Sequence, residues 1–154
     1  MDYIESAKGQ EQQASCFLCD LPAKGDDEAA CIVKRGDRGF VILNAFPYNP
    51  GHLMVAPFRH VGELEKLEDP ELLELGALLR DAVAALREEA EPQGYNIGMN
   101  LGRVAGAGVP DHLHWHVVPR WNGDTNYMPV IGRTRVLPEL VADTYRKLAP
   151  RFRS

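Results

Sequence analysis

Histidine occurs five times in this 154-residue chain, and three copies alternate as His112, His114 and His116. Imidazole can bind a metal, move a proton or attack an electrophile near neutral pH. On a β-strand the three rings would share one face about 7 Å apart, while Leu113, Trp115 and Val117 faced a core. Three imidazoles are poor core residues, because each leaves a ring nitrogen in want of a partner. A bare polar strand face is the plain alternative, but such clustering of a scarce residue favours a site. No serine, cysteine or acid flanks the row in a triad pattern. Imidazole attack on phosphorus, giving a phosphoramidate, suits it, with an adjacent imidazolium steadying the phosphoryl oxygens.

A second chemical signal is Cys16-Phe-Leu-Cys19. By itself this pair is ambiguous between redox use and metal binding, and no thioredoxin-like pattern surrounds it. Zinc would require four nitrogen or sulfur ligands, of which the pair supplies two; buried metal-free thiols are the alternative. Cys31 reads as a small core residue within a strand. The N-terminus lacks the basic and apolar regions of a signal peptide, so the expected compartment is the cytoplasm, with the thiols reduced.

The elements that must position these residues read in the order β-β-β-α-β-β-α, an antiparallel α+β pattern. Strands are expected over 31–35, 39–43, 52–57, 95–101 and 112–119. A helical pattern begins near Val61, with Asp69 as cap, Pro70 at the first helical position and Leu72, Leu75, Leu79, Val83 and Leu86 at helical spacing. Pro92 and Gly94 end it. A second helix is expected from Leu137, opened by Pro138, to about Leu148. Residues 1–15 read as a flexible polar tail and 16–154 as a single domain.

Composition bounds the function. The net charge of −5 argues against a generic nucleic-acid partner, and no apolar run is long enough for a transmembrane helix. Residues 63–91 hold ten acids and three bases, whereas 112–154 hold seven bases and three acids. The acidic block reads as a solvated helix face. The positive lean around the histidines suits an anionic ligand such as phosphate, with plain surface bases as the alternative.

His112-Leu-His114-Trp-His116-Val-Val resembles the signature of the histidine-triad (HIT) superfamily of nucleotide hydrolases and transferases. Asn44-Ala-Phe-Pro-Tyr-Asn-Pro-Gly-His52-Leu-Met-Val-Ala-Pro57, with His60, resembles the family's first nucleotide-binding strand and turn. Asn96-Ile-Gly-Met-Asn100-Leu-Gly102 resembles the strand before the triad. The likeness spans roughly residues 16–130 and implies a HIT-like fold: about five antiparallel strands, two helices, and a sheet continued across a homodimer.

The resemblance implies that His114 is the nucleophile and that His116 contacts the α-phosphate and helps the leaving group. Asn44 would bind the ribose, His52 would line the pocket, and Asn100 would contact phosphate or the leaving group. A strand-ending turn residue is the plain alternative for Asn44, and a strand-start histidine for His52. Where the best-known branches carry Gly-Gln-Ser/Thr-Val, this chain has Gly106-Ala-Gly108-Val-Pro-Asp111. That loop, Trp115 and Pro119-Arg-Trp-Asn-Gly-Asp-Thr-Asn126 are similar to the bacterial branch of diadenosine tetraphosphate phosphorylases. The backbone N–H groups of Ala107 and Gly108 could cradle a phosphate, or the loop could be a plain connection. Members with this cysteine pair imply a structural zinc on Cys16, Cys19, His60 and His112, with no catalytic cofactor. The implied partner is a nucleotide or dinucleoside polyphosphate, with water or inorganic phosphate as the acceptor. A nucleoside phosphoramidase, a general nucleotide hydrolase, and a zinc-stapled nucleotide-binding module of little activity are the rival functions.

Overall fold

The runs FVIL and LMVA lack polar alternation, which on a strand means that both faces are covered. The computed structural model, which describes residues 16–124 and 140–152, bears this out. Strands β1 (Ile32–Arg35), β2 (Gly39–Leu43) and β3 (Leu53–Pro57) precede a long helix, and every residue of β2 and β3 is buried. β4 (Gly94–Gly98) and β5 (Trp115–Arg120) follow. The sheet order is β1-β2-β3-β5-β4, with every neighbouring pair antiparallel. This is the expected α+β sheet.

Two helices, α3 (Asp69–Ala90) and α4 (Val141–Phe152), cover one face. Their Leu75, Leu78, Ala82, Leu86, Leu148 and Phe152 pack with Val41, Val55 and Val117 of the sheet. On the opposite face Leu18 and Cys16 pack with Ile32, Phe40, Ile42, Met54 and Ala56. Met54 is the cross-strand partner of His116, so this second face also carries the histidines.

Several expectations are corrected. Besides the two expected helices, two short ones form between Cys16 and β1, where no helix was expected: α1 (Phe17–Ala23) and α2 (Asp27–Ala30). Cys31 is not in a strand but caps α2 in the left-handed conformation, φ 62°. Glu68, not Asp69, precedes the long helix, and Pro70 is its second residue. No α-helix starts at Val61, whose carbonyl instead accepts from Leu113 N–H at 2.8 Å; only a single 3-10 turn, Leu64–Lys66, comes before the long helix. A methyl on Gly62 would stand 2.7 Å from the Pro110 carbonyl, so these segments are tightly apposed. The buried stripe of α3 includes Leu75, Leu78, Ala82 and Leu86, leaving Leu72 exposed. β4 stops at Gly98 and β5 starts at Trp115, so Asn100, His112 and His114 lie outside strands. The calls on residues 1–15 and on a helix start at Leu137 lie outside the described residues.

Candidate active site and metal centre

The three alternating histidines do not form one uniform row. His112 lies in a bend before β5, fully buried, and its ring joins the N-terminal cysteines. Its Nδ1 lies 3.4 Å from Cys16 Sγ, 3.4 Å from Cys19 Sγ and 3.2 Å from His60 Nδ1. Cys19 Sγ is 3.2 Å from His60 Nδ1. All four ligand atoms fall within 4.8 Å of one another. Tetrahedral zinc with ordinary bonds would space its ligand atoms about 3.3–3.8 Å apart, so the quartet fits around one ion with little adjustment.

The proton positions agree with ligation. His112 Nε2 is 2.8 Å from the Pro57 carbonyl, which can only accept, so Nε2 carries the hydrogen and Nδ1 presents its lone pair to the sulfurs. A backbone carbonyl fixing a metal-binding imidazole is a common supporting arrangement. Burial and the adjacent Cys16 push the Cys19 thiol up to about 11, and a cation among the four would favour its thiolate. The residues expected to hold zinc are therefore brought together as a candidate metal centre.

His114 works the other way round. Its Nδ1 lies 3.0 Å from the His112 carbonyl, so Nδ1 donates and Nε2 holds an unshared pair. The ring meets that of His116 edge-on, with centroids 4.8 Å apart. His116 Nδ1 is 2.9 Å from His52 Nε2. His52 Nδ1 accepts from Tyr48 N–H at 3.3 Å and faces Asn44 Nδ2 at 3.4 Å, so its hydrogen is on Nε2 and points at His116. His116 must then accept at Nδ1 and keep its own hydrogen on Nε2. The result is a nucleophilic lone pair on His114 beside an N–H donor on His116. Burial, reinforced by the His116 and His114 rings, lowers His52 to about 4. Burial, then His114, also lowers His116. Both rings are neutral at pH 7.

The other expected contacts are more dispersed. Asn44 is half-buried and acts as a turn residue as well, its Oδ1 accepting from Phe46 N–H at 2.9 Å. Asn100 is exposed, close to Gly106. Ala107 N–H donates to the Gly102 carbonyl at 3.2 Å, and Gly108 is exposed on the loop. Two participants escaped the sequence reading. Tyr48 stacks on His52 at 5.0 Å, and the Pro57 carbonyl orients His112. Only an aromatic residue in the turn four positions before His52 hinted at the first, and backbone acceptors leave no mark in a sequence.

Five antiparallel strands in this order carry two imidazole clusters at the start of β5. Residues 27–123 match the HIT domain model, and the chain belongs to that family. A Mycobacterium tuberculosis protein named AP-4-A phosphorylase is 49% identical over 123 residues, covering 80% of this chain but 63% of its own length. The solved structure of a Zn-bound histidine triad family protein from Mycobacterium smegmatis superposes with a TM-score of 0.73 at 27% identity, covering 91% of this chain and 94% of that one. A hypothetical histidine triad nucleotide-binding protein from Sulfolobus tokodaii shares the fold, with a TM-score of 0.74 at 21% identity, covering 90% and 92% of the two chains. No helix among the described residues is long and apolar enough to cross a membrane.

Proposed function

We propose that this protein cleaves the α-phosphate bond of a dinucleoside polyphosphate, resembling diadenosine tetraphosphate, through a nucleotidyl-His114 intermediate. The observation that carries the reading is the 3.0 Å bond from His114 Nδ1 to the His112 carbonyl, which leaves Nε2 free to attack. Nε2 bonds to the α-phosphorus while the bridging oxygen leaves with the remaining phosphates. Inorganic phosphate or water then attacks the same phosphorus, the N–P bond breaks, and His114 is regenerated. With phosphate as acceptor, diadenosine tetraphosphate gives ATP and ADP; with water it gives ATP and AMP.

His116 donates its Nε2–H to the oxygens on which charge develops. A polyphosphate leaves as a stable anion and needs no proton, whereas an amine leaving group needs one. Because His116 is held neutral, the site suits polyphosphates better than the phosphoramidates of the rival reading. The similarity to a protein named AP-4-A phosphorylase supports the same substrate class and phosphate as the acceptor. His52 orients His116, Asn44 and Asn100 would contact the nucleotide, and Gly108 would offer its N–H to phosphate.

The metal we assign to Cys16, Cys19, His60 and His112 is a structural zinc, on the near-tetrahedral spacing of the donors and the Zn-bound relative. It would tie the segment before α1 to the sheet, and no catalytic cofactor is required. Reduced thiols of this kind suit the cytoplasm. A homodimer continuing the sheet through β4 is in keeping with that strand's position at the sheet edge. Neither nucleic acid nor membrane is part of this reading.

Product analysis with diadenosine tetraphosphate tests the function. ADP and ATP formed only with inorganic phosphate present is the expected outcome. Turnover of an adenosine phosphoramidate with none of the tetraphosphate would overturn it.

A further inference from the structure

His112 belongs to both clusters, through different atoms. Its Nδ1 faces Cys16, Cys19 and His60, while its carbonyl accepts from His114 Nδ1–H. The surroundings leave the residue little freedom, since it is fully buried and its Nε2–H is bound to the Pro57 carbonyl. One residue further on, Leu113 N–H holds the Val61 carbonyl, and Val61 directly follows His60. The two histidines of the metal centre thus lie on paired segments, and one of those segments continues into His114.

We propose that Cys16, Cys19 and His60 are positioning residues for the nucleophile: by sharing a cation with His112 they fix its carbonyl and hence the tautomer and aim of His114. This rests on reading His114 as the nucleophile. Without the cation, His112 Nδ1 is held only by hydrogen bonds shared with His60 Nδ1 at 3.2 Å and the two sulfurs at 3.4 Å, which fix it less firmly than common ligation would. A backbone shift that accompanies loosening of the His112 ring would displace the carbonyl on which His114 depends. A simple staple would change how much protein is folded. A positioning device changes the rate of nucleotidyl transfer in each folded molecule.

The test compares the zinc-loaded full chain with His60→Ala and with His60→Cys, which restores a fourth ligand. His60 is exposed, so its replacement disturbs little packing. Nitrogen-15 NMR of the histidines reads the His114 tautomer, and single-turnover trapping at alkaline pH reads formation of the adduct from diadenosine tetraphosphate. In His60→Ala the Nδ1–H tautomer of His114 should lose its dominance, and adduct formation should slow roughly 10- to 100-fold, a usual loss for removed support around a metal site. Nucleotide affinity should change less than about twofold, and His60→Cys should restore both signals. An unchanged tautomer and rate per folded molecule in metal-depleted His60→Ala overturns the proposal. Should that variant not fold, wild type loaded with cadmium, a larger and softer ion, takes its place; a His114 signal and rate identical to those with zinc overturns it equally. If wild type forms no adduct, the nucleophile reading fails, while the tautomer comparison still decides the coupling.

Discussion

His112 and His114 are two residues apart, yet they use their rings in opposite senses. His112 gives its Nε2–H to the Pro57 carbonyl and turns Nδ1 toward two sulfurs and a third imidazole. His114 gives its Nδ1–H to the His112 carbonyl and leaves Nε2 open next to His116. Identical side chains become a candidate metal ligand and a candidate nucleophile because a different nitrogen is occupied in each. In both cases the selecting partner is a backbone carbonyl, which cannot donate and therefore fixes the tautomer. The lesson is that three imidazoles in a short motif need not be one device.

This contrast can be broken at several points. The largest effect is expected from His114→Ala, which should abolish the trapped adduct and lower turnover by about a thousandfold or more while leaving zinc content intact. A mutant that still forms the adduct would move the nucleophile elsewhere. Cys16→Ser should do the reverse first: metal analysis should show zinc lost, and denaturant unfolding should show a loss on the order of 4 kcal/mol. Zinc retained at one equivalent would dissolve the distinction between the clusters.

The catalytic cluster should also carry a pH signature of its own. The unfolded chain protonates the His52 ring below about 6.5, whereas the fold holds it neutral down to about 4. The unfolded state therefore binds more protons across that window, and stability falls as pH drops through it, by about 3 kcal/mol in total from this ring. His116, lowered in the same direction, adds to the loss. Acid release of a metal would act as well, so the informative quantity is the difference between wild type and His52→Asn. Chemical unfolding at a series of pH values should show a shallower acid slope in the variant, and equal slopes would place the titration outside this cluster.

The smallest effect lies outside both clusters. Cys31 holds a left-handed backbone that costs a residue with a side chain about 1 kcal/mol, so Cys31→Gly should raise the melting temperature slightly and leave zinc content and turnover unchanged. A change in either would tie this cysteine to a site.

Much of this arrangement was legible in the residues. The apolar runs of β2 and β3 announced strands, and the motif around His112, His114 and His116 announced the family. Element ends were less legible. Nothing local marks Val61 as extended, since its conformation follows from Leu113 and Pro110, far along the chain. Cys31 looked like a strand residue because its left-handed turn serves the end of α2 rather than any apolar pattern.

The sequence by itself determined the α+β class, because residue type and periodicity are local properties, while the allotment of the histidines, two of them to the Cys-x-x-Cys pair, came from the resemblance of its motifs to the HIT family. Only the tertiary structure decided which ring nitrogen each histidine turns toward its cluster. That choice depends on carbonyls of Pro57 and His112, on Tyr48 N–H, and on sulfurs nearly a hundred residues away in sequence. Backbone groups are the same in every residue, so their placement is invisible until the chain has folded.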